Sequence, residues 1–158
     1  MIELPIHQHQ IDLAREREKA LPSTLANSIR RGEGIFIGLL GEILYCDAVE
    51  GTYLGTYQHD LIVNGNRMEV KTKERTVAPL WYYNCTVSAA NTRQDCDYYV
   101  FMSILDDLTK GWYLGYISKS DFFKKARFTG HDTLDVVGSS YHFRTDCYNI
   151  KICDLIST

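Results

Sequence analysis

Several things are scarce or missing in this chain, and each absence removes a class of protein. Proline occurs three times in 158 residues, at Pro5, Pro22 and Pro79. No proline- or glycine-rich linker, repeat or low-complexity tract divides the chain. No apolar run approaches the roughly 18–20 residues that span a bilayer, which argues against a membrane protein. The opening MIELPIHQHQ lacks the basic start and apolar core of a secretory leader, so a cytoplasmic protein is expected. Cysteine is present five times, an odd number, without a C-x-x-C pair. That disfavours a disulfide framework or a zinc knuckle and predicts free thiols in a reducing compartment. Neither G-x-x-x-x-G-K-[ST] nor G-x-G-x-x-G occurs, so no nucleotide cofactor is expected. An excess of positive charge is also missing. Seventeen basic residues face twenty acidic ones, for a net charge of −3. On that balance alone a nucleic-acid binder is disfavoured, since such proteins usually carry a basic field.

What is present suits one globular domain over residues 1–158, with 45% hydrophobic and 23% charged residues. Residues 8–20 alternate charges around Ile11, Leu13 and Ala14 and read as a surface helix. Residues 35–48 place apolar side chains at 35, 36, 39, 40, 43 and 44, the spacing of a helix with a wide apolar stripe. Glu42 is the one charge at its centre, between Gly38 and Gly41 and the apolar residues that follow. The period then changes to two. Residues 57–63 and 67–73 read as strands flanking Asn64-Gly65, the strongest short hairpin signal. Residues 80–87 (LWYYNCTV) suggest a third strand, and 98–105 (YYVFMSIL) a strand buried on both faces. Residues 112–117 form another, Ser118 or Ser120 can cap a helix running to Arg127, and the tail from 141 to 156 closes with one more strand. Helices followed by a run of strands predict an α/β or α+β layered domain.

The hairpin carries the chemistry. With Asn64 and Gly65 as the centre of a type I′ turn, paired residue numbers sum to 129. Asp60 then stands opposite Glu69, with Cβ atoms roughly 4.5–5.5 Å apart. Leu61, Val63, Met68 and Val70 share one face; Asp60, Glu69, Lys71 and Lys73 share the other. Opposed carboxylates repel, and a divalent cation removes that cost. Mg²⁺ takes one or two carboxylates, keeps waters and completes its shell with phosphate oxygens. A lysine one step along the same face offsets the negative charge that builds in phosphodiester hydrolysis. The plainer reading of the same residues is a solvated hairpin face with a salt bridge.

Asp60 followed on the next strand by Glu69-Val70-Lys71, with Gly38-Leu39-Leu40-Gly41-Glu42 on the preceding helix, resembles the PD-(D/E)XK nuclease superfamily. The matching order covers residues 35 to about 127, with His59 where the motif's proline would stand. The resemblance implies a restriction-endonuclease-like fold: a central mixed β-sheet flanked by helices. It implies a Mg²⁺-dependent DNA endonuclease of junction-resolving, nicking, restriction or homing type, with Mn²⁺ as a substitute metal. Asp60, Glu69 and the Val70 carbonyl would bind the metal, Lys71 would position the water, and Glu42 would bind a second metal or a water. Lys73, Arg75, Arg30, Arg31 and Arg93 are candidate DNA ligands, although Lys73 and Arg75 read equally well as a charged strand end. Ser88, Asn91 and Gln94 sit in a polar segment that often faces substrate in this fold. A homodimer is the economical way to cut two strands. The alternatives are an exonuclease, or a catalytically silent nucleic-acid-binding or assembly module with the same fold.

Overall fold

The computed structural model describes residues 1–21, 34–56, 58–135 and 141–157. It is an α/β structure with one six-stranded mixed sheet and one three-stranded sheet. The elements are β1 (Ile2–Pro5), α1 (Gln8–Ala20), α2 (Ile35–Val49), β2 (Thr52–Tyr53), β3 (Leu61–Val63), β4 (Asn66–Arg75), β5 (Asn84–Ser88), β6 (Tyr98–Leu105), β7 (Lys110–Ser118), α3 (Lys119–Lys125), β8 (Arg127–Thr129) and β9 (Cys147–Lys151). The large sheet runs β1-β7-β6-β4-β3-β2 and the small one β5-β9-β8. Only the central pair, β4 and β6, is parallel; the other ladders are antiparallel.

Two apolar clusters sit on opposite faces of the large sheet. On one face α2 packs its Leu40, Ile43 and Leu44 against Met68 and Val70 of β4 and against Val100, Met102 and Ile104 of β6. Helix α1 lies on α2 rather than on the sheet; its Ala14 is buried, and Gln10 Nε2 donates to Asp47 Oδ2 at 2.7 Å. The other face gathers Tyr99, Phe101, Trp112 and Leu114 with Phe122 of α3 and with Cys85, Val87 and Ile150 of the small sheet. Strand β6 therefore feeds both clusters from alternate positions, as an apolar run without polar alternation requires.

Helices flank the large sheet, α2 on one face and α3 on the other. The small sheet shares the second face with α3. The proposed strand over 80–87 begins only at Asn84, and it belongs to the small sheet. Residues 80–83 form a turn closed by Tyr83 N–H on the Leu80 carbonyl at 2.9 Å, with Leu80, Trp81 and Tyr82 exposed. Their aromatic composition suggested a strand, but they turn instead and only touch the segment after β9, where Cys153 N–H donates to the Trp81 carbonyl and Ile152 N–H to the Tyr83 carbonyl, each at 3.0 Å; Pro79 just before them cannot donate to a ladder. The strand expected over 57–63 is shorter, because residues 58–60 bend before β3 begins. The helix expected to reach Arg127 stops at Lys125, with Ser118 as its N-cap accepting from Asp121 N–H at 3.1 Å. β1, β2 and β8 are short or lie at sheet ends and escaped the periodicity. All five cysteines are free thiols, as their number predicts. Among the described residues no helix is long and apolar enough to cross a membrane.

Helix α2 approaches β4 closely through Gly41. A Cβ at that position would lie 2.8 Å from both Cβ and Cγ2 of Thr72, closer than such carbon atoms pack. Glycine there costs roughly 1 kcal/mol of helix propensity, and the close approach that it permits sets Glu42 beside the β3–β4 hairpin. Gly41→Ala should therefore destabilise the fold by about 1–3 kcal/mol despite the better propensity. Adding Thr72→Ala should recover part of that loss. Denaturant midpoints of the two single variants and the double variant check this.

Candidate active site

The hairpin forms in the register that its turn demands. Asn64 and Gly65 both adopt positive φ, 49° and 80°, as a type I′ turn needs. Leu61 pairs with Met68 and Val63 with Asn66, so paired numbers sum to 129. One residue before β3, Asp60 continues the ladder. Its N–H donates to the Met68 carbonyl at 3.0 Å, and its Oδ2 accepts from Val70 N–H at 2.8 Å. Leu61, Met68 and Val70 go beneath α2, which leaves Asp60 and Glu69 together.

Burial separates the two readings of this pair. Asp60 is 7% and Glu69 4% exposed, so these carboxylates do not belong to a solvated hairpin face. Lys71 Nζ donates to Glu69 Oε1 at 2.7 Å and to Gln94 Oε1 at 3.0 Å, and Gln94 Nε2 donates to the same Glu69 Oε1 at 2.7 Å. Three side chains thus close a ring in which one carboxylate oxygen takes two charge-sensitive bonds. The other, Glu69 Oε2, is buried with no hydrogen-bond partner. An unsatisfied buried acceptor costs about 1–3 kcal/mol, more when charged.

Glu42 completes the cluster from α2. It accepts a hydrogen bond from the Tyr53 phenol, and the Arg17 guanidinium lies 3.6 Å from the Tyr53 ring centroid. Burial is the main cause that raises the Glu42 carboxyl from 4.5 to about 7, and the charge of Glu69 adds to it. The Tyr53 bond, Arg17 and Lys71 oppose the shift. Asp60 is held well above its ordinary value, first by burial and then by the charges of Glu42 and Glu69. Three carboxylates in one poorly hydrated place cannot all ionise cheaply.

The segments bearing Asp60 and Gln94 are tied together outside the cluster. Gln58 Oε1 accepts from Asp95 N–H at 2.8 Å, and His59 Nδ1 lies 3.2 Å from the Asp95 carbonyl. Arg67 Nη2 bonds Asp97 Oδ1 at 2.7 Å and Arg67 Nε bonds Asp97 Oδ2 at 3.1 Å, while Arg67 Nη1 pairs with Asp95. Lys119 Nζ holds the Gln94 carbonyl.

The sequence-predicted residues thus divide. Glu42, Asp60, Glu69 and Lys71 come together. Val70 offers its carbonyl on the edge that its N–H shares with Asp60, since both groups of one residue point the same way from a strand. Lys73 lies near them but is paired with Asp135 Oδ2 at 3.0 Å, with its ammonium near the Tyr141 and Phe143 rings. Arg75 is spent inside the fold: Nε bonds Ser103 Oγ at 3.0 Å, Nη2 bonds the Asn84 carbonyl at 3.3 Å, and the guanidinium stacks 4.8 Å from the Tyr83 ring. Burial lowers its pKa from 12.5. Its guanidinium is a structural tie rather than a ready phosphate ligand. Arg93 is exposed beyond the short helix Ala89–Asn91. Arg30 and Arg31 lie outside the described residues. Sequence reasoning missed Tyr53 and Arg17, which no local pattern marks. It placed Gln94 only in a polar segment, whereas the side chain turns inward to the Glu69–Lys71 pair.

Among the described residues no three or more His, Cys, Asp or Glu side chains are already gathered as a metal-ligand group. Mg²⁺ needs no such group: one or two carboxylates plus waters suffice. Asp60, the partnerless Glu69 Oε2 and the Val70 carbonyl are hard oxygen donors of the kind that it takes, so the residues fit the ion. No protein-family model matches the chain, and no curated protein matches it.

The raised Glu42 carboxyl fixes a sign. A group that is protonated more readily folded than unfolded stabilises the fold at low pH. That contribution is lost as pH rises from about 4.5 to 7. The metal-free protein should therefore lose stability over this window, and Asp60 acts in the same direction. Glu42→Gln should flatten the profile and be more stable than wild type above pH 7, by up to about 3 kcal/mol. Urea denaturation in EDTA at several pH values measures it.

Proposed function

We propose that this chain is a Mg²⁺-dependent nuclease that hydrolyses DNA phosphodiester bonds, most simply as an endonuclease. The observation that carries the reading is the burial of Asp60 beside Glu69 with one Glu69 oxygen left without a partner. A scaffold gains nothing from that arrangement, whereas a cation between the two carboxylates removes its cost. The order helix-Glu42, Asp60, strand-Glu69-Val70-Lys71, strand, helix supports the likeness to the PD-(D/E)XK nucleases and their restriction-endonuclease-like fold.

Asp60, Glu69 and the Val70 carbonyl would hold Mg²⁺, with Mn²⁺ as a substitute. Bound there, the ion supplies Lewis-acid polarisation of a phosphoryl oxygen and acidifies water. The chain's own groups do the rest. Lys71 has three N–H donors, of which Glu69 and Gln94 take two. The third can orient a water for attack, and the positive charge offsets the negative charge that develops on the phosphate. Glu42, whose carboxyl burial raises in the metal-free protein, is placed to hold a water or exchange a proton beside the hairpin. Gln94 bonds both the Lys71 ammonium and Glu69 and so is a positioning residue. Cutting both strands of a duplex would take two copies, and we include a homodimer in the proposal.

The test is cleavage of supercoiled plasmid, linear duplex, four-way junction and a single-stranded oligonucleotide with Mg²⁺, with Mn²⁺ and in EDTA. Wild type should cut at least one of them only with metal. Lys71→Ala and Asp60→Asn should each lower the rate by roughly 100-fold or more. A wild type that cuts nothing, or variants that cut as fast as wild type, would overturn the assignment and favour a silent binding module.

A further inference from the structure

We infer that the substrate reaches the cluster as a single DNA strand, lying in a trough along the free edge of β4 with Arg144 and Tyr141 on its far wall. This rests on the nuclease reading above and specifies its substrate. Strand β3 pairs with β4 only as far as Met68. From Val70 onward no strand pairs with that edge of β4 among the described residues. Two recesses open along it, of about 350 Å³ and about 200 Å³. They share Lys71, Thr72, Thr86, Asn91 and Tyr141, so they form one continuous depression with Lys71 of the cluster on its floor.

The lining suits a polyanion with accessible bases. Polar side chains dominate where the two recesses meet. Thr72 Oγ1 is buried there without a hydrogen-bond partner. Of the cations, Lys71 and Lys73 are already paired with Glu69 and Asp135, and Arg75 is tied to Ser103 and the Asn84 carbonyl. Arg144, by contrast, lines the second recess, is exposed, and forms no ion pair among the described residues. It is the guanidinium with charge to spare beside Lys71, and so the phosphate ligand that the basic residues of β4 do not provide. Tyr141 is 40% exposed at the seam between the recesses. An aromatic ring there stacks a base only if that base has left its duplex neighbours, and such stacking tolerates any sequence. Recesses of this size admit one strand, not the full width of a duplex. The net charge of −3 is no obstacle, because a local groove rather than a global field makes the contact.

The experiment measures binding in EDTA, where no cleavage occurs, by fluorescence anisotropy of a short labelled oligothymidylate and of a duplex of equal length. The single strand should bind more tightly than the duplex. Tyr141→Ala should weaken it roughly 5- to 100-fold. Arg144→Ala should reduce the slope of log K against log salt by about 0.7, the share of one single-strand phosphate. Lys124→Ala, on the exposed face of α3 and paired with Asp121, should bind as wild type does, and thermal melts should show all three variants folded. Failure to bind the single strand, equal or tighter binding of duplex, or wild-type behaviour of both Arg144→Ala and Tyr141→Ala overturns the inference. Tighter binding of oligouridylate overturns its assignment to DNA. Cleavage of the same oligonucleotide with Mg²⁺ is scored separately. Binding with the expected variant pattern but no cleavage removes the nuclease reading alone; cleavage indifferent to Arg144 and Tyr141 removes the trough alone.

Discussion

Glu42, Asp60 and Glu69 are held against one another away from water, and much of the surrounding structure answers to that electrostatic load. Tyr53 and Arg17 reach in from β2 and α1 to share the charge of Glu42. Val70 N–H spends its hydrogen bond on Asp60 rather than on a neighbouring strand. Lys71 and Gln94 converge on one oxygen of Glu69 and leave the other bare. Each is a partial answer, since burial still keeps Glu42 and Asp60 above the usual carboxylate range. The remaining imbalance has the sign that a cation corrects.

Much of this was legible in the sequence because it is local. Asn64-Gly65 fixes a turn type, the turn type fixes the register, and the register puts Asp60 next to Glu69 whatever the rest of the chain does. The helix over 35–49 was equally plain from its apolar spacing. What could not be read depends on long-range packing. Alternation places Lys73 and Arg75 on the same strand face as Lys71, but it cannot show that Asp135, sixty-two positions after Lys73, or Ser103 and Tyr83 occupy their charges. Gln94 looked like loop polarity because its partners arrive from β4. The run Leu80-Trp81-Tyr82-Tyr83 looked like a strand because aromatic residues favour sheets, whereas its backbone closes a turn onto the Leu80 carbonyl and meets the segment after β9.

The layering explains where the chemistry sits. α2 covers one face of the large sheet, and its glycine contact with Thr72 sets the height of Glu42 above the hairpin. The small sheet covers the other face, and the residues leading into β9, among them Tyr141 and Arg144, line the recess beside β4. β3 is short, and that shortness leaves the edge of β4 from Val70 onward without a partner strand among the described residues, so that the Asp60 side chain takes the Val70 N–H.

β4 is bonded on one side to β6 from Met68↔Tyr98 to its end at Arg75↔Leu105, and β6 contributes to both apolar clusters. Opening β4 therefore means breaking both clusters, so its local opening free energy approaches that of global unfolding. Amides of β4 that face β6 should exchange among the slowest in the molecule, unlike those of its unpaired edge. A cluster built on such a strand is ordered beforehand, so any ligand it takes would meet side chains already in place.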